Sequence, residues 1–71
     1  MHRHPAIAFC EAVTKRASED GWKLKPSMDG FLWKKDDKTI GAQVNTLDAS
    51  LQLHNACVLL DKQQYNLTVT L

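Results

Sequence analysis

Residues 22–45 read WKLKPSMDGFLWKKDDKTIGAQVN, and this stretch decides the fold because its apolar side chains alternate with polar ones. Turn-forming residues divide it into three alternating runs, at residues 22–25, 31–35 and 39–45. Alternation is typical of antiparallel strands that have one buried and one solvated face. The stretch therefore predicts a three-stranded meander.

The segments on either side of this meander follow helical spacing instead. Residues 5–18 repeat apolar side chains on one face, with Pro5 suited to the first turn and Gly21 suited to ending the helix. Residues 47–62 predict a second helix, for which Thr46 is the expected N-cap and Asp48 complements the helix dipole. Each helix can cover part of one sheet face.

The last seven residues alternate again and predict a fourth strand, at residues 65–71. The expected architecture is a small two-layer α+β sandwich, order α-β-β-β-α-β, with two helices on one face of a four-stranded mixed or mostly antiparallel sheet of order 3-2-1-4. Its expected core comprises Phe9, Val13, Trp22, Trp33, Ile40, Val44, Leu53, Leu60, Leu67 and Val69.

Length and composition indicate one globular domain over residues 1–71, with residues 1–4 as a flexible tail. The chain is 44% hydrophobic and 24% charged, which is unlike a disordered protein. No apolar run reaches the roughly 18 residues that span a bilayer, and no signal-peptide core follows the start, so we expect a cytoplasmic protein. A core this small favours association with a partner or a second copy.

The sequence contains few groups suited to catalysis or metal binding. Cys10 and Cys57 lie on apolar helix faces, where reduced, shielded thiols are expected, and burial argues against a nucleophile formed by Cys57 and His54. His2 and His4 could reach a metal with His54 or Cys10, but their spacing is not typical of a zinc site. We expect no catalytic residues, cofactor or metal, and so no enzyme.

The second helix carries more apolar surface than one sheet face should cover, and Leu59 projects among polar neighbours. The expected protein-interaction surface combines this helix with the edge of the last strand. Its residues are Leu47, Leu51, His54, Val58, Leu59, Tyr65, Thr68 and Thr70. In the alternative interpretation, the first helix packs over Leu47, Leu51 and Val58 and leaves no such surface.

These features favour a small protein-binding module whose partner is another protein or a second copy of the chain. By analogy with small phage and mobile-element proteins, we expect an inhibitor or adaptor that occludes a site on a larger protein or complex. The sequence resembles no particular family closely enough to narrow this further.

The alternative is a nucleic-acid-binding domain that uses a basic sheet face. Its candidate residues are Lys23, Lys25, Lys34, Lys35 and Lys38. The formal net charge of only +1 gives little support for it, and lysines on a solvated sheet also serve to prevent edge-to-edge association. Trp22 and Trp33 are expected to point into the core and not to stack on bases.

Overall fold

The structure is a computed structural model that describes residues 4–28, 30–43 and 45–67. It confirms the α+β class, with two helices and a three-stranded antiparallel sheet of order β1-β2-β3. The elements are α1 (Pro5–Glu19), β1 (Lys23–Ser27), β2 (Gly30–Lys35), β3 (Lys38–Gln43), α2 (Ala49–Leu60) and a π-helical turn (Asp61–Tyr65). Helix α2 packs on β2 and β3, and α1 packs on α2.

Helix α1 ends at Glu19, one residue later than predicted, and Gly21 terminates it as the sequence predicts. This glycine has φ +94°, a left-handed conformation that costs residues with a Cβ more than it costs glycine. The Trp22 N–H donates to the Ala17 carbonyl at 2.9 Å, and the Gly21 N–H donates to the Ser18 carbonyl at 3.1 Å. These two bonds form a Schellman motif, which reverses the chain and brings Trp22 into the core at the start of β1.

The register of the sheet places one apolar row beneath the helices. Leu24 lies opposite Trp33, and Trp33 lies opposite Ile40 on the next strand. Strand β1 continues past Pro26, where the sequence pattern predicts a break, because β1 is an edge strand and proline is tolerated there. Trp33, on the central strand, is only 1% exposed.

The core forms where this row meets both helices. Trp33 also donates a hydrogen bond from its indole Nε1 to the carbonyl oxygen of Ala56 on α2, at 3.1 Å. The buried apolar residues are Val13, Ala17, Trp22, Trp33, Ile40, Ala56, Cys57 and Leu60. Phe9 and Leu53, also expected in the core, are partly buried and pack against it, whereas Val44 and Val69 lie outside the described residues.

The second helix begins two residues later than predicted, and its N-cap is Asp48 and not Thr46. One carboxylate oxygen of Asp48 accepts hydrogen bonds from the N–H groups of Ser50 and Leu51, at 2.9 and 3.2 Å. Thr46 instead accepts a hydrogen bond from the Asp48 N–H through its hydroxyl, at 3.1 Å. Asp48 prevails as the cap because its carboxylate satisfies two otherwise free helical N–H groups.

The prediction of a fourth strand is wrong for residues 65–67, and residues 68–71 lie outside the described part of the chain. Tyr65 ends the π-helical turn, and Asn66 follows with φ 52° and ψ 48°. The buried Asp61 carboxylate accepts a hydrogen bond from the Leu67 N–H at 2.9 Å. These contacts continue the chain beyond α2 as a helical turn, so Leu67 is 41% exposed and does not join the core. The described sheet has three strands, so the predicted order 3-2-1-4 does not apply to it.

The π-helical turn is attached to the end of α1 through Tyr65. Its hydroxyl donates to an Asp20 carboxylate oxygen at 2.8 Å, and the Arg16 guanidinium lies 5.6 Å from the centre of its ring. Arg16 Nε is also 3.6 Å from the same Asp20 oxygen. Burial, followed by the hydrogen bond to Asp20 and the charge of that carboxylate, raises the pKa of Tyr65 to about 12.

Replacing Trp33 with Phe should lower the free energy of unfolding by about 1–3 kcal/mol, because the hydrogen bond to Ala56 and part of a buried ring are lost. Chemical denaturation should show a lower midpoint at an unchanged slope, with far-UV circular dichroism confirming that the fold is retained. An unchanged midpoint would show that Trp33 does not hold the two layers together.

Alkaline pH should destabilise the protein partly through Tyr65. The folded state keeps the phenolic proton up to a pKa of about 12, whereas the unfolded state loses it near pH 10. Stability due to this group is therefore fully present below pH 10 and falls between pH 10 and 12. In urea denaturation at stepped pH, Tyr65→Phe should flatten this decline. A parallel decline in the wild type and in Tyr65→Phe would show that Tyr65 does not cause it.

A candidate binding cleft between the helices

A cleft of about 460 Å³ lies between α1 and α2. Residues 6, 7, 10, 11 and 14 recur at helical spacing, which places them along one side of α1, and residues 50, 53 and 54 do the same on α2. The residues around the cleft are His4, Ala6, Ile7, Cys10, Glu11, Thr14, Ser50, Leu53 and His54. Most of the surface they contribute is apolar.

His4 lies at the end of the cleft and is the N-cap of α1. Its Nδ1 accepts a hydrogen bond from the Ala6 N–H at 3.1 Å, so His4 belongs to the start of α1. His2 lies outside the described residues. Within the described part of the chain, no group of three His, Cys, Asp or Glu residues is arranged to hold a metal ion.

The polar side of the cleft is a contact between Cys10 on α1 and His54 on α2. Cys10 Sγ is 3.7 Å from His54 Nδ1, and either atom can donate, depending on the tautomer of His54. The Phe9 ring contacts the imidazole edge to face, with ring centres 6.0 Å apart. One aromatic contact, from Phe9, and one sulfur contact, from Cys10, therefore hold His54 in position.

Cys57 lies one turn after His54 but has a different environment. It is fully buried, and Thr14 Oγ1 is 4.0 Å from its Sγ. Burial, followed by the hydrogen bond and the charge interaction with Cys10, raises the pKa of the Cys57 thiol to about 12. Cys57 is accordingly a protonated core thiol at neutral pH and a poor nucleophile.

The sequence singles out His54 as a candidate residue but does not indicate Cys10 as its contact partner. A local pattern can relate His54 to Cys57, which is three residues away, but it cannot relate it to Cys10, which is 44 residues away. Ile7 was also missed, because it lies outside the main apolar stripe of α1 and nothing in the sequence shows that α2 comes close to it.

The predicted interaction residues differ in exposure and in their contacts. Leu47 is fully exposed and Leu51 is 45% exposed, so α1 does not cover them as the alternative interpretation requires. Leu59 packs against the core, so the expectation that it is isolated among polar groups is wrong. Val58 is partly buried, Tyr65 binds Asp20, and Thr68 and Thr70 lie outside the described residues.

The five lysines of the predicted basic surface divide into two groups. Lys23, Lys25 and Lys34 are exposed on the three-stranded sheet. Lys35 is only partly exposed, and its Nζ lies 5.9 Å from the centre of the Trp22 ring. Lys38 is opposite Lys35, at the start of β3.

A scan of protein-family models and searches of curated proteins and of solved structures find no match to this chain. Neither helix in the described residues has the length and hydropathy needed to cross a membrane. Function is therefore inferred from the geometry of the chain itself.

The two thiols should react at different rates in the folded protein. Cys10 is partly exposed beside the cleft, whereas Cys57 is fully buried with a raised pKa. Under native conditions we expect iodoacetamide to modify Cys10 first and Cys57 only after denaturant is added, as peptide mass spectrometry would show. A Cys10→Ser variant should then be nearly unreactive, and rapid labelling of Cys57 in it would exclude this packing.

Proposed function

We propose that this chain is a small non-enzymatic protein-binding module that acts in the cytoplasm as an inhibitor or adaptor of the phage or mobile-element type. Its partner is another protein, either a larger target whose site it occludes or a second copy of the chain. The cleft between α1 and α2 is the proposed contact surface. Two exposed apolar side chains, Ile7 at this cleft and Leu51 elsewhere on α2, are the observation that carries the proposal.

Ile7 is the clearest of these side chains. It lines the cleft and is 54% exposed, although it is one of the larger apolar residues of α1. Leu51, one turn before Asn55 on α2, is 45% exposed and adds apolar surface on the second helix. Exposed apolar surface costs free energy in water, and burying it against a partner recovers that energy.

The size of the cleft fits an anchoring side chain. Binding pockets commonly measure about 300–1,000 Å³, and a space between two helices accepts an apolar residue from an amphipathic helix or loop. The Cys10–His54 contact supplies polar atoms at one side, while Ala6, Ile7 and Leu53 supply apolar atoms. A large aliphatic or aromatic anchor therefore matches the lining best.

The chemistry in and beside the cleft supports the non-enzymatic part of the proposal. The buried Cys57, which does not line the cleft, keeps its proton at neutral pH, and His4 uses Nδ1 to cap α1. Nucleophilic catalysis generally requires an activated nucleophile next to an oriented base and a space for the substrate carbonyl. The apolar lining suits binding better than it suits the stabilisation of a developing charge.

Replacing Ile7 with Glu should remove partner binding while leaving the fold largely intact, because Ile7 is more exposed than buried and charge is unfavourable in an apolar contact. Met28→Glu is the matched control, since Met28 is fully exposed and does not line the cleft. We expect the wild type and Met28→Glu to retain the same partner, or to self-associate equally by sedimentation velocity. Ile7→Glu should neither retain that partner nor self-associate.

Two results would reject the cleft as the contact surface. One is equal partner recovery and equal self-association by all three proteins. The other is loss of binding in both variants, which would reflect added negative charge and not the position of the substitution. Thermal denaturation of each variant shows whether Ile7→Glu is folded at the assay temperature.

A further inference from the structure

The outer face of the sheet carries a cluster of lysines that the proposed cleft does not use. Lys23 lies directly opposite Lys34 in the β1–β2 register, and Lys25 lies two residues further along β1. The neighbouring row, Leu24 and Trp33, faces the helices, and successive side chains on a strand point to opposite faces. The three lysines therefore share the face that points away from α1 and α2, and all three are exposed.

No acidic residue occupies an outward-facing position of the described strands. Up to Gly41 on β3, these positions carry lysine, serine, glycine, leucine or threonine. The nearest described acidic residues along the chain, Asp36 and Asp37, form the turn between β2 and β3 at one end of the sheet. The face is therefore locally basic although the chain as a whole has a formal net charge of +1.

The Lys23–Lys34 pair is unfavourable in the free protein. Like charges directly opposite one another in an antiparallel sheet are destabilising, and lysines used only for solubility could be placed apart. A bound anion would remove this repulsion. Paired positions on neighbouring strands, such as Lys23 and Lys34, are roughly 5 Å apart, and positions two residues apart on one strand, such as Lys23 and Lys25, are roughly 7 Å apart. All three lysines can therefore reach one short run of phosphates.

The same face offers no platform for bases. Trp22 and Trp33 are both buried in the core, and the Trp33 indole N–H is bonded to Ala56. Leu32, opposite Lys25, is the apolar residue of the outer face and has no ring. Single strands are usually held by stacking their bases on aromatic side chains, whereas a duplex encloses its bases and carries about one negative charge per 1.7 Å of axis.

We propose that the outer face of the sheet binds the sugar–phosphate backbone of a double-stranded nucleic acid, through Lys23, Lys25 and Lys34, without reading its sequence. This face and the helical cleft lie on opposite layers of the molecule. One chain can therefore hold a protein and a duplex at the same time, and this second site does not depend on the first.

Fluorescence anisotropy with two labelled 20-base-pair DNA duplexes of unrelated sequence, from 20 to 200 mM salt, tests the proposal. Three phosphate contacts predict a slope of log K against log salt of about −2.7, or roughly a 40-fold loss of affinity between 50 and 200 mM. Lys23→Gln and Lys34→Gln should each reduce the steepness of this slope by about 0.9. Lys15→Gln, which removes one exposed charge from α1, is the matched control and should leave the slope unchanged.

A second measurement separates a functional lysine pair from a structural one. Lys34→Gln should weaken duplex binding several-fold and also raise the Tm of the free protein by a few degrees, because it removes the like-charge contact with Lys23. The proposal is overturned by no binding at 20 mM salt, by an equal effect of Lys15→Gln, or by tighter binding to the isolated strands. Preferential binding to phosphatidylserine vesicles would likewise assign the face to membranes.

Discussion

The contact between Trp33 and helix α2 is the interaction on which the rest of the molecule depends. Trp33 occupies the central strand, where Leu24 and Ile40 flank it, and its indole N–H reaches the Ala56 carbonyl. A tryptophan can be buried at this position because its one polar group has a partner there. This contact fixes how far α2 lies from the sheet, and the space left for α1 follows from it.

The position of α2 determines both proposed surfaces. Once α2 is held by Trp33, its first half lies beside α1, where Cys10 and His54 meet and Ile7 remains exposed at a cleft. Because α2 packs on the face of β2 and β3 that carries Trp33 and Ile40, Lys23 and Lys34 lie side by side on the opposite, solvent-exposed face. In a chain of 71 residues, one two-layer packing arrangement thus provides two chemically different faces.

Much of the fold could be predicted because its signals are local. Gly21 ends α1 through a conformation that depends on the absence of a Cβ, and alternating side chains specify the three strands. The errors have a physical cause as well. Asp48 and Thr46 are both good caps, and only the placement of the free N–H groups selects Asp48. Alternation from Tyr65 onward predicts a strand, but Tyr65 is held in a π-helical turn by Asp20.

The sequence by itself determined the α+β class, the helix stop at Gly21 and the alternation that sorts the strand side chains between two faces, because each depends on residues a few positions apart. Only the tertiary structure decided which distant groups meet: Cys10 with His54, Tyr65 with Asp20, and Trp33 with Ala56. It also decided that Lys23 faces Lys34 and that Lys35 lies against Trp22. Strand register and helix packing set these contacts, and neither is encoded in the spacing of residues along one element.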